Sequence, residues 1–284
     1  HKICKILLVI LAFFLCVAFY ELLGICVAYK KQPEVSNTTK KETKNGSWNE
    51  CSENTERAVI IEKNPEALLQ RVRLIKNAKK EIILSTFAFQ SDESGKLILG
   101  ALHDAADRGV HIRLLVDGME SWIDMEGNPY FYGLSSHENV EIKLYNKANP
   151  LKPWKMMGRM HDKYLIADGK RYILGGRNTY NYFLGDFPGH KNYDRDVLVV
   201  CDEPEKENSV NQLLEYFETI WEQEDSGYFH DNKKLANRKS VKNAVLELQN
   251  GYQKYFEENK ERICDTDYTD ETFETEKIAL VSNP

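Results

Sequence analysis

No C-x-x-C spacing occurs among the six cysteines, no excess of positive charge is present, and no motif repeats within the 284 residues. Each absence narrows the field. Without cysteines at metal-ligand spacing, neither a zinc ribbon nor a dithiol redox centre is expected, and no cofactor or metal is implied. Three of the cysteines (Cys4, Cys16, Cys26) sit in or beside an apolar segment, so disulfides are not expected to hold the fold. A formal net charge of −6 argues against an extended groove for nucleic acid, though a sum does not reveal a local basic patch. What is present is an ordinary globular composition, 42% hydrophobic, enough for one large α/β domain or two small ones.

Ile6 to Tyr29 is apolar except for Glu21, about the length of a membrane-spanning helix. The run is long and no small-x-small site ends it, so an uncleaved single-pass anchor is expected over residues 1–30. Glu21 is costly in mid-membrane and tolerable near one end. Lys2 and Lys5 precede the span, and Lys30, Lys31, Lys40, Lys41 and Lys44 follow it. That count leans toward a cytoplasmic catalytic domain but leaves the side open, because the chain begins with His rather than Met. Residues 31–57 are polar and aperiodic and read as a flexible tether.

From Asn64-Pro65 the pattern becomes α/β. Asn64 is expected to cap a helix with Pro65 in its first turn and Leu68, Leu69, Val72 and Ile75 on one face. Ile82–Phe89 reads as a strand buried on both sides, Lys96–Asp107 as a helix, Val110–Val116 and Val140–Tyr145 as further strands. Between the last two, residues 117–139 read as loop or short helix. Residues 149–159 are irregular, with Trp154, Met156 and Met157 either packed in the core or lining a passage for an acyl or glycerol group. A strand from Asp194 to Val200 and an amphipathic helix from Glu205 to Glu224 follow. The spacing predicts a mixed sheet with helices on both faces. Residues 58–230 form this lobe. Residues 231–284 read as a helical arm, with a thin stripe of Val241, Val245, Leu248, Tyr252 and Phe256, followed by a fresh strand from Lys277 that begins a second lobe.

The chemistry concentrates in one hairpin. Tyr164–Ala167 and Tyr172–Leu174 are β-favouring runs around an Asp-Gly turn signal. If Gly169-Lys170 is the loop, Lys163 pairs with Gly176 and His161 with Asn178. If Asp168-Gly169 is the loop, every pairing slides by two. Either register puts His161, Lys163, Gly176 and Asn178 on one face. A nucleophile or base, a fixed cation, an amide donor and a residue without a side chain suit a phosphate. Asp168, ~23 Å along the strand from His161, is out of reach of that imidazole and is better suited to fixing the turn.

The pattern His161-x-Lys163-x4-Asp168, then Gly175-Gly176-x-Asn178, resembles the signature of the phospholipase D superfamily, with Gly176 where many members carry Ser. The resemblance extends from about Ala58 to Trp221 and includes Glu81–Phe89 and Ala106–Asp117. It implies catalytic roles for His161, Lys163, Asp168 and Asn178, with Lys163, Gly176 and Asn178 contacting the substrate phosphate. It also implies a phosphohistidine, on His161 or, if the two lobes exchange roles and His161 is the acid, on its counterpart, formed opposite a second such motif in the same longer chain or in a second copy. An acid downstream at a strand start is expected to orient the imidazole. Asp196 fits that place, with Asp194 in reserve.

The anchor favours a phospholipid substrate and a likeness to bacterial cardiolipin synthases, although those usually carry two spans and one is seen here. A metal-independent endonuclease acting as a homodimer is the second reading. A membrane-tethered interaction protein with a decayed site is the third, and the intact His161, Lys163 and Asn178 speak against it.

Overall fold

The computed structural model describes residues 2–30, 37, 40–41, 56–155, 157–204, 208–230 and 233–281. In chain order the strands are β1 (Glu56–Ile61), β2 (Glu81–Thr86), β3 (His111–Asp117), β4 (Val140–Tyr145), β5 (Lys163–Ala167), β6 (Arg171–Gly175), β7 (Asp196–Val200), β8 (Ser226–Tyr228) and β9 (Phe273–Thr275). They form one sheet in the order β8-β4-β3-β2-β5-β6-β7-β1-β9. Among neighbouring strands only β2–β3 and β3–β4 pair in parallel. The crossover between β2 and β3 is helical, as a parallel pair requires, whereas β5 and β6 join through a tight turn and are antiparallel.

The helices are α1 (Lys2–Lys30), α2 (Asn64–Asn77), α3 (Glu93–Asp107), α4 (Gly118–Asp124), α5 (Pro129–Ser135), α6 (Ser209–Trp221), α7 (Lys239–Glu258) and α8 (Lys260–Cys264). Strand alternation divides the core in two. Ile82 and Leu84 of β2 point into the larger cluster with α2, α3 and α7, and Ile83 points into a smaller one with Val210, Leu213, Phe217 and Trp221 of α6. The mixed sheet is therefore covered by helices on both faces, as expected. At the N-terminus, α1 is long and apolar enough to cross a membrane.

Several boundaries differ from the sequence reading. Helix α2 is capped at Lys63 without a side-chain bond, so Asn64 is not its cap. The Asn64 amide instead donates to Asn192 O and accepts from Arg177, a tertiary use that outcompetes capping. Helix α3 starts three residues early because Asp92 accepts from Gly95 N. Glu56 and Arg57, placed in the tether, open β1. Their charges are satisfied there, Glu56 by Ser209 and Arg57 by Thr272 and Glu274. The rest of the tether, apart from residues 37, 40 and 41, lies outside the described residues. The stripe expected on the arm packs α7 against α3 and α5, closely enough that a Cβ on Gly100 would lie 2.7 Å from Leu248 O. Residues 277–281, expected to be a strand, are irregular, and Ile278 and Leu280 pack beside the α6 cluster instead. Residues 282–284 lie outside the described residues.

Candidate active site

The site lies where β2 and β3 end and β5 begins, at the carboxyl edge of the parallel strands. The hairpin that feeds it has a register neither alternative anticipated. Asp168 and Gly169, with φ of 55° and 63°, make the tight turn, closed by Lys170 N–H donating to Ala167 O. The ladder nevertheless pairs Ala167 with Arg171 and Tyr164 with Leu174. Lys170 is thus one extra residue on the second strand, and a one-residue offset reverses the facing of everything beyond it. Continued, this register sets Gly175 opposite Lys163, so Gly176 and Asn178 do not join the His161 face through the hairpin.

His161 and Lys163 do converge, on the ring of Phe87. The imidazole meets that ring edge-on at 4.7 Å between centroids, and Lys163 Nζ lies 5.2 Å from the same centroid. Nζ also donates to His161 O at 2.6 Å, which fixes the two residues relative to each other. Lys163 is 6% exposed, and burial lowers its pKa to about 8 against the opposing pull of Asp162 and Asp194. Partial desolvation, then the charge of Lys163, holds the His161 imidazole below its ordinary value. Its ring has no hydrogen-bond partner among the described residues. The imidazole is therefore neutral at pH 7, with a nitrogen free to attack.

Asn178 approaches the end of β2 by another route. Beyond β6 its Oδ1 accepts from Ala88 N at 3.2 Å, while Thr179 N donates to Ala88 O and Gln90 N to Thr179 O. Asn178 therefore sits against the residue that follows Phe87.

Three charged neighbours were missed by sequence reasoning. Arg159 lies 4.9 Å from the Phe87 centroid and pairs with Asp117 and Glu120 at 2.8 and 2.9 Å. Asp117, 1% exposed at the end of β3, also accepts from Met160 N and from Met119 N and Glu120 N at the start of α4. It thereby holds the two residues that lead into His161. An acid at the carboxyl end of a parallel strand was the available signal. Asp162, facing the opposite way, accepts from Tyr216 of α6 at 2.8 Å and, after burial, is the cause that pushes that phenol up.

The other candidates fall elsewhere. Asp168 does not reach the site. Its carboxylate accepts from three consecutive amides, Lys79, Lys80 and Glu81, tying the hairpin turn to the start of β2. Asp168→Ala should therefore cost about 1–3 kcal/mol in chemical denaturation and leave kcat of the folded enzyme within about twofold. A large fall in kcat without a loss of stability would give Asp168 a direct catalytic role.

Asp196 is buried but does not touch His161. Its Oδ2 receives Arg71 at 2.9 Å and Arg177 at 3.2 Å, and its Oδ1 has no hydrogen-bond partner among the described residues. The twin glycines make room for carboxylates. A Cβ on Gly175 would stand 2.1 Å from Asp196 Oδ1, and one on Gly176 2.1 Å from Asp194 Oδ2. What Gly176 admits in this structure is therefore the Asp194 side chain. Trp154 and Met157 are about half exposed and do not pack in the core; the side chain of Met156 lies outside the described residues. A cavity of about 310 Å³ is lined by Asp162 and Tyr164 as well as His161 and Lys163, and walled by Leu174, Leu213, Tyr216 and Leu280 on the α6 side that Asp162 faces.

Known proteins share this architecture. The family profile described as "Cardiolipin synthase, PLD-like domain" matches residues 71–221, more than half of the chain. An uncharacterized protein of Helicobacter pylori (strain J99) is 30% identical over 212 residues, 69% of this chain and 39% of that one. Cardiolipin synthase C of Escherichia coli K12 is 29% identical over 171 residues, 55% of this chain and 34% of that enzyme. The phosphatidylserine synthase of Haemophilus influenzae Rd KW20 has a similar fold, with a TM-score of 0.52 at 18% identity, over 78% of this chain and 48% of that one. The chain spans two fifths or less of the length of the two curated relatives.

Proposed function

The chain belongs to the phospholipase D superfamily, and from that premise we propose that it is one lobe of a membrane-anchored phosphodiesterase or phosphatidyltransferase acting on phospholipid. The observation that carries this reading is the meeting of His161 and Lys163 on one Phe87 ring.

A phosphodiester resists attack because its anionic oxygens repel nucleophiles and its leaving alkoxide is poor. Lys163 supplies a fixed charge for a non-bridging oxygen, and Asn178 a neutral amide beside it. The free nitrogen of His161 attacks phosphorus, forming an N–P bond as the P–O bond to the leaving alcohol breaks. A histidine from a second lobe, in the same longer chain or a second copy, gives that alkoxide its proton. Water or another alcohol then attacks the phosphohistidine, loses its proton to the same second histidine and frees His161. Asp194 helps to keep Lys163 protonated, since its carboxylate raises that pKa.

The test is to incubate the full-length protein with phosphatidylglycerol vesicles. Glycerol with cardiolipin, or phosphatidic acid, is the expected product. If neither forms and DNA or RNA is cut without added metal, the nucleic-acid reading replaces this one.

The titrations give a second expectation. Neutral His161 is required, so kcat/KM rises with pH through a value below 6.5. Charged Lys163 is also required, so kcat/KM falls again as pH passes about 8. The second-lobe histidine must also be protonated to supply its proton, so Lys163→Arg, whose guanidinium stays charged, should remove only the fall near pH 8 and leave any limb set by that histidine. An unchanged limb in that variant assigns it to another group.

A further inference from the structure

We propose that the loop of residues 149–155, with Met157, immediately before the site, lies in the headgroup layer of the bilayer that α1 enters, at the level where α1 leaves the hydrocarbon. This rests on the phospholipid reading of the same site and adds the surface on which it works.

Helix α1 meets the lobe at this loop. The Tyr20 hydroxyl donates to Leu151 O at 2.8 Å. Gly24, the buried residue of α1, is the close crossing, since a Cβ there would lie 2.3 Å from Pro153 Cγ. Around buried Pro153 the loop turns its apolar side chains outward: Leu151 is 78% exposed, Trp154 46% and Met157 48%. Exposed Lys152 has no charged partner among the described residues, while Lys155 pairs with Asp225 at 2.8 Å. Outward leucine, tryptophan and methionine around a lysine, beside an apolar helix, suit the boundary between acyl chains and lipid phosphates.

The lengths agree. The apolar run Ile6 to Tyr29 is ~36 Å of helix against ~30 Å of hydrocarbon; counted from Ile6, about 20 residues fill the hydrocarbon, which then ends near Ile25. The loop contact at Tyr20 and Gly24 therefore falls toward the end of the hydrocarbon. Glu21, the one acidic residue of the apolar run, lies at that same height, where a carboxylate is tolerated. Tyr20 has the amphipathic ring typical of this layer. Met157 lies four positions before His161, a reach of at most ~14 Å. The nucleophile thus stands within ~14 Å of that layer, close enough for a phosphodiester to reach it from the bilayer surface.

The experiment uses the full chain in phosphatidylcholine–phosphatidylglycerol vesicles containing phospholipids brominated at graded acyl depths. In one variant Trp154 is the sole tryptophan, the other three being replaced by Phe. In a second, Leu11→Trp in a tryptophan-free chain reports on α1. The expected result is quenching of Trp154 strongest with the shallowest bromine, and of the Leu11→Trp probe, ~8 Å inside the start of the span, with a deeper one. Trp154 unquenched while that probe is quenched overturns the loop assignment and leaves the anchor standing. A probe quenched at no depth overturns the anchor and the loop together. Shallow quenching of Trp154 without turnover of any phospholipid supports the loop's placement and overturns only the substrate reading. Should the multiple replacement fail to fold, Trp154→Phe alone must remove the shallow-quenched component from the emission of the otherwise intact chain.

Discussion

Replacing His161 with alanine is expected to lower kcat on phospholipid by at least about 10³-fold while leaving the fold intact. Both halves of that result follow from the environment of the ring. The imidazole is exposed, makes no hydrogen bond among the described residues, and touches Phe87 through a single edge-on contact worth about 0.5–1.5 kcal/mol. Little stability depends on it. Chemically, nothing nearby replaces it. Lys163 holds its proton up to a pH of about 8 and is 6% exposed, so it is a poor substitute nucleophile at neutral pH. Steady-state kinetics at saturating lipid, with circular dichroism of the same preparation, checks both parts. Activity within tenfold of the parent would place the nucleophile elsewhere.

Asp196→Ala is expected to have the largest effect on stability, about 3–5 kcal/mol, out of a total that is commonly 5–15 kcal/mol. The Asp196 side chain is fully buried between Arg71 and Arg177, which are themselves 4% and 0% exposed at the side chain. Removing the carboxylate leaves two guanidinium groups in a low-dielectric interior with only backbone carbonyls and Asn64 as partners. Arg177 lies one residue before Asn178 and bonds Ile61 O and Glu62 O, so the disturbance spreads into the segment that positions Asn178. Chemical denaturation in detergent measures the loss. A change below about 1 kcal/mol would mean that the arginines find other partners and that the cluster is not what joins β1, β6 and β7 at this end.

The fold was legible wherever one strand or helix carries its own pattern. Ile82, Ile83 and Leu84 read as a strand buried on both sides, and they do face two different clusters. The stripe on α7 was equally plain. The acceptors of that stripe, α3 and α5, were not, because nothing in one helix names the surface it meets. The hairpin illustrates the limit most sharply. Asp168-Gly169 announced the turn, but the extra residue at Lys170 has no signature, and its presence changes which face Gly176 and Asn178 occupy.

At the site, His161 and Lys163 could be paired from their spacing alone. Asn178 is positioned by Ala88, ninety residues away in sequence, and the carboxylate that steadies the approach to His161 is Asp117, paired with Arg159 forty-two residues on. Such pairings are made by the sheet, which sets β2, β3 and β5 side by side, and no local pattern encodes them. Phe87 was hidden for a different reason. In an apolar run an aromatic reads as core, and only coordinates reveal that its ring faces two cations and an imidazole.

The central claim is that His161 attacks phosphorus. It is tested most directly by stopping a reaction with a ³²P-labelled phospholipid in alkali, where phosphohistidine survives, and locating the label by peptide mass spectrometry. The account predicts label on the peptide carrying His161, released by acid and absent from His161→Ala. Turnover with the label on any other residue, or with no covalent adduct at all, would contradict it.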